Sequence, residues 1–135
     1  MAGGTAQFRL RGFAVTIPWT SHQLQRVAAV LQQHPAASGR CAEAARDVLP
    51  IVRERDADAR GRKVVPRNPF APFIVPLNVP GAGRWRHHVT VETEDHYIDA
   101  LTGPDGSAVE GYLAAHWQYP DALVLIDVDL TDTGL

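Results

Sequence analysis

RHHVTVETEDHYIDALTG, residues 86 to 103, decides the fold of this chain. Apolar and polar residues alternate on both sides of Glu94-Asp95, the pattern of a β-hairpin with a covered face. A two-residue tip at Glu94-Asp95 sets Thr93 opposite His96 and Thr90 opposite Asp99. Side chains alternate along a strand, so His88, Thr90 and Asp99 then share one face. His88 becomes the diagonal neighbour of Asp99, within reach of a hydrogen bond, while His87 points the other way. A three-residue tip would slip the register by one and put His87 in that place. The two-residue tip is the preferred register. Because a hairpin demands antiparallel pairing, and helices interleave with strands around it, the expected class is α+β with a mainly antiparallel sheet.

Working outward, residues 7 to 17 (QFRLRGFAVTI) read as a strand whose apolar phase slips at Gly12, the mark of a bulge or bend. Thr20 and Gln23 form a capping box for a helix whose apolar face is Leu24, Val27, Ala28 and Leu31, expected to pack on the sheet. A second helix, capped by Ser38, runs through CAEAARDVL, and Pro50 is expected to kink or end it. Residues 53 to 63 (RERDADARGRK) read as a solvated helix end and loop. Residues 64 to 80 hold five of the ten prolines. That spacing argues for an extended edge or connection, with Phe70, Phe73 and Ile74 buried, and against a central strand. After the GPDG turn, Ser107 and Glu110 suggest a capping box for a short helix through His116. ALVLIDVDL then reads as a buried strand.

With 135 residues, 45% hydrophobic and 21% charged, the chain is expected to be a single domain, residues 1–135, with one core. A formal net charge of −2 offers no field for nucleic acid or an anionic membrane. No apolar run reaches the length of a membrane span, and the N-terminus lacks the pattern of a signal peptide. The expected location is the cytoplasm, or outside the cell as an effector delivered without such a signal. One cysteine excludes an internal disulfide framework and a multi-cysteine zinc site.

That cysteine, Cys41, lies in the first turn of its helix, where unpaired amides and the helix dipole favour the thiolate. It also shares a helical face with Ala45, Val48 and Val52, as a small core residue would. The hairpin supplies what a reactive thiol needs. An imidazole takes the proton, and a carboxylate fixes its tautomer and stabilises the imidazolium. The candidate constellation is therefore Cys41, His88 and Asp99. A metal site built from His88, His96, Asp99 and His116 is the rival chemistry, but no spacing like that of a known zinc motif supports it. No cofactor is expected. There is no phosphate loop, dinucleotide fingerprint or basic-aromatic nucleic-acid surface.

SGRCAEAARDVL followed by HHVTVETEDHYIDALTG resembles the Cys-His-Asp core of the papain-like superfamily. The likeness is to its small bacterial branches: papain-fold toxin and effector domains, transglutaminase-like proteins and glutamine deamidases. It implies a papain-like sheet packed against an N-terminal Cys-bearing helix, with Cys41 as nucleophile, His88 as general base and acid, and Asp99 as orienting residue. It implies a cysteine-dependent hydrolase or acyltransferase acting on amide bonds of a protein or peptide, as deamidase, peptidase or transglutaminase. Papain carries a Gln a few residues before its Cys, and Pro35 and alanines stand there instead. The Cys41 amide and a neighbouring amide are then the expected oxyanion donors. The alternative is a catalytically inactive papain-like domain that binds a protein through its proline-rich edge.

Overall fold

The computed structural model describes residues 16–81 and 83–135. Three helices, α1 (Ser21–Gln33), α2 (Cys41–Val52) and α3 (Tyr112–His116), accompany five strands. These are β1 (Arg60–Pro66), β2 (His88–Thr93), β3 (His96–Ile98), β4 (Ser107–Ala108) and β5 (Leu123–Asp127). They form one sheet, antiparallel throughout, in the order β4-β3-β2-β1-β5. The class is α+β. The strand expected over residues 7 to 17, with its bend at Gly12, lies outside the described residues except for its end, where Ile17 is buried.

The hairpin has the two-residue tip: Thr93 pairs with His96 and Val91 with Ile98. Glu94 and Asp95 both take positive φ, 46° and 65°, as the mirror-image turn that matches strand twist requires. Around it, alternation sorts the side chains into two cores. Val89, Val91 and Ile98 meet Val48 and Val52 of α2. On the opposite face Val64, Ile74, Tyr97, Tyr112 and Trp117 pack together.

Helix α1 has the expected capping box, with Thr20 and Gln23 each accepting from the other's backbone amide. It buries Val27 and Leu31, but its main partner is α2 rather than the sheet, and Leu24 stays 39% exposed. Ser38 does not cap α2. It closes a 3₁₀ turn, Ala36–Ser38, with its hydroxyl donating to the Pro35 carbonyl. Gly39, at φ 76°, then reverses the chain so that Cys41 becomes the first residue of α2. Nor does Pro50 end the helix, which continues to Val52. Proline there lies in the last turn, where it forgoes one backbone bond, and Arg53 still donates to the Leu49 carbonyl.

The largest correction concerns residues 60 to 66. The charged run expected to be loop opens β1, which pairs with β2 on one side and β5 on the other. Arg60 and Arg62 flank Gly61, and their heads pair with Glu92 and Asp127 on the neighbouring strands. A long arginine stem covers sheet surface while its head pairs with carboxylates, so the first half of the strand forms without apolar side chains. Pro66 closes β1 where only β5 remains as a partner, so its missing donor costs no bond. Beyond it Ile74 is buried as expected, but Phe70 is 91% exposed and Phe73 39%.

The Ser107–Glu110 capping box does not form either. Ser107 and Ala108 pair with Tyr97 and His96 as an edge strand, and Gly111, at φ 92°, opens α3 instead. Strand β5 is an edge strand as well, buried at Leu123 but 43% exposed at Ile126.

The exposed tip provides a test. Asp95 holds a left-handed conformation that glycine adopts freely, so Asp95→Gly should raise stability by about 0.5–1 kcal/mol and Asp95→Ala should lower it. Urea midpoints of the two variants check this, and a destabilised Asp95→Gly would speak against the turn.

Candidate functional site

Each of the three candidate residues stands where an element begins or ends. Cys41 opens α2, His88 opens β2, and Asp99 follows β3. Because β3 stops at Ile98, its ladder with β2 reaches only to Val91. The edge of β2 from His88 to Thr90 is left uncovered there, and α2 brings Cys41 into the gap. Cys41 there lines one small recess with His88 and Asp99.

His88 and Asp99 are 1% and 4% exposed, and His88 Nε2 lies 3.1 Å from Asp99 Oδ2. The contact is bent away from the ring N–H direction, so it is an ion pair more than a straight hydrogen bond. Asp99 is held from several directions. Its Oδ1 accepts from the amides of Leu101 (2.8 Å) and Thr102 (3.0 Å), and its Oδ2 accepts from the Tyr112 hydroxyl at 2.7 Å. Trp85 stacks on the His88 ring, with centroids 5.6 Å apart and planes at 25°, and Trp117 packs at 5.2 Å. The ring is thus clamped between indoles, and its rotation is restricted.

Burial and charge pull these groups in opposite directions, and charge wins. Burial opposes a charged imidazole, but the Asp99 carboxylate and then the Cys41 thiol favour it, lifting His88 to about 9. Burial also pushes Asp99 up, yet the His88 charge and the Thr90 and Tyr112 hydroxyls bring it down to about 2. For Cys41 burial again acts upward, but His88 and the amides of Val89 and Ala42 hold the thiol below its ordinary value. Tyr112 moves well above its usual range through burial and the Asp99 charge, so its hydroxyl stays a donor. The groups titrate as a unit, and their charged form is thiolate, imidazolium and carboxylate.

Space adjoins the thiol on two sides. A cavity of about 220 Å³ is lined by Ala36, Gly39, Cys41, Trp85, Arg86 and His87. A recess of about 10 Å³, roughly one water or one carbonyl oxygen in size, lies among His34, Pro35, Cys41, His88 and Asp99. The first amides of α2 adjoin these spaces without an intrahelical acceptor or a side-chain cap.

The structure therefore brings Cys41, His88 and Asp99 together, while His87, half-buried, precedes β2 and lines the larger cavity beside Cys41. His96 turns away from the group, with its Nδ1 against the Glu94 carbonyl at 2.8 Å. Among the described residues no three His, Cys, Asp or Glu side chains are arranged to hold a metal ion. No helix among them is long and apolar enough to cross a membrane. Sequence reasoning missed Tyr112, Trp85, Trp117 and His34. A signal for the loop was present: Asp99-Ala100-Leu101-Thr102 is the pattern of an aspartate accepting from amides two and three residues ahead. Compared with family models, curated proteins and solved structures, the chain has no match.

Two outcomes follow from the geometry. Asp99→Ala leaves a buried imidazole without its counter-charge and should cost about 3–5 kcal/mol in urea unfolding. The pair also sets a pH window. The raised His88 contributes stability fully below about 6.5 and loses it as pH climbs through about 9. The depressed Asp99 contributes above 3.8 and loses it as pH falls through about 2. Wild type should therefore lose more stability between pH 7 and pH 10 than His88→Asn does. Equal losses in the two proteins would show that His88 is not held charged.

Proposed function

We propose that this protein is a thiol-dependent amide hydrolase or acyltransferase of papain-like design, with Cys41 as nucleophile, His88 as proton carrier and Asp99 as the residue that holds His88. The observation that carries the reading is that the sole cysteine lines one small recess together with an imidazole that is itself buried against a carboxylate. A purely structural cysteine has no need of an acid–base partner, and a buried ion pair placed beside a thiol lowers its pKa.

The chemistry follows from the positions. The Cys41 thiolate attacks the carbonyl carbon of an amide, and the negative charge moves to the carbonyl oxygen. The amide of Cys41, in the first turn of α2 and beside the recess, is the donor this reading assigns to that oxygen. Collapse breaks the C–N bond, and His88 gives its proton to the departing nitrogen. Water then adds to the thioester, His88 takes a proton from it, and the acid leaves while the thiol is restored. An amine in place of water gives transamidation by the same path. Asp99 stays ionised throughout and Tyr112 keeps it oriented. The setting we favour is a toxin or effector module that modifies a protein of another cell, as deamidase, peptidase or transglutaminase.

The test is mass spectrometry of candidate protein substrates after exposure to wild type and to Cys41→Ala. Wild type should convert glutamine to glutamate, or cleave the chain, while Cys41→Ala should do neither and keep the native fold by circular dichroism. Equal modification by both proteins would refute the assignment of Cys41. In addition, iodoacetamide should label wild-type Cys41 well below pH 8, and His88→Asn should move that profile toward an ordinary thiol near 8.5.

A further inference from the structure

Most arginines of this protein are already occupied. Arg26, Arg55, Arg60 and Arg62 pair with carboxylates. Arg46, Arg53 and Arg67 donate to backbone carbonyls. Among the described residues only Arg40, Arg84 and Arg86 have neither kind of partner, and Arg84 lies 5.0 Å over the Phe73 ring. Residues 1–15 and Ala82 contain no Asp or Glu, so no side-chain carboxylate outside the described residues exists to neutralise the other two.

Their positions coincide with the thiol. Arg40 immediately precedes Cys41, and Arg86 lines the 220 Å³ cavity beside it. Both are exposed, and the rest of that cavity is Trp85, small residues and a half-buried His87. Apolar walls raise the field of a nearby charge, so the unneutralised Arg86 in that lining, with Arg40 next to Cys41 in the chain, favours an anion. The cavity lies below the ~300–1,000 Å³ of sites that enclose a whole small molecule, so it suits one or two side chains of a longer chain.

We propose that the cavity takes a peptide segment with an acidic side chain next to the amide that Cys41 attacks, its carboxylate held by Arg86 and Arg40. This rests on the proposed thiol chemistry and adds its substrate class. Guanidinium is suited to such a partner, because its planar fork matches the two oxygens of a carboxylate.

The experiment compares alkylation of Cys41 by iodoacetate, which carries a carboxylate, and by neutral iodoacetamide. The iodoacetate-to-iodoacetamide rate ratio should fall about two- to fivefold in Arg40→Gln/Arg86→Gln, the range of one exposed ion pair. It should fall further in Arg86→Glu, and it should stay at the wild-type value in Arg26→Gln, whose arginine is remote. A second arm measures protection of wild-type Cys41 from iodoacetamide by two acetylated hexapeptides with a central glutamine flanked by glutamates or by lysines. The glutamate peptide should protect at lower concentration. An unchanged ratio in the double variant, or equal protection by the two peptides, would overturn the acidic preference while the thiol reading stands. Wild-type labelling that rises only above about pH 8 would instead overturn the thiol reading itself.

Discussion

A carboxylate and an imidazole enclosed together form the constraint around which this fold is arranged. Asp99 and His88 are almost entirely removed from water, where a lone charge is far more costly than at the surface. Either group alone would have to neutralise. Together, with two loop amides and the Tyr112 hydroxyl completing the coordination of Asp99, they remain charged. These contacts reach into every neighbouring piece of structure. The amides fix the turn after β3, the hydroxyl fixes α3, and the imidazole fixes the start of β2. The two tryptophans close the remaining faces of the ring and keep solvent away from it.

The thiol belongs to the other side of the sheet. Cys41 packs at the margin of the α2 core, whereas His88 lies among the aromatic residues of the opposite core. They meet because β3 is only three residues long. A longer strand would continue the ladder past Val91, occupy the amide of Val89 and separate sulfur from ring.

Much of this was legible in the sequence, and the reasons are local. The Glu94-Asp95 tip has a two-residue length that fixes parity, and parity distinguishes His88 from His87. Thr20 and Gln23 announce a helix start through chemistry contained in four residues. Other elements were hidden because their cause lies elsewhere in the chain. Arg60-Gly61-Arg62-Lys63 looks like solvent-exposed loop until Glu92 and Asp127 arrive on either side to pair with it. Ser107 and Glu110 offer a helix cap, but the free edge of β3 competes for Ser107 and wins. The hydroxyl bond of Tyr112 to Asp99 depends on tertiary packing that no local pattern encodes. Phe70 shows the opposite failure, since its hydrophobicity suggested burial and its loop leaves it in water.

The solitary status of Cys41 has a consequence for oxidation. A thiol whose pKa is lowered by a neighbouring imidazole and two amides is a better target for peroxide than an ordinary one, and the first product is a sulfenic acid. In many redox-active proteins a second cysteine condenses with that acid and saves the sulfur as a disulfide. This chain has none to offer. Its sulfenic acid can be rescued only by a thiol arriving from solution through the cavity beside Trp85. Without one, oxidation proceeds to sulfinic and sulfonic acids and the loss is permanent.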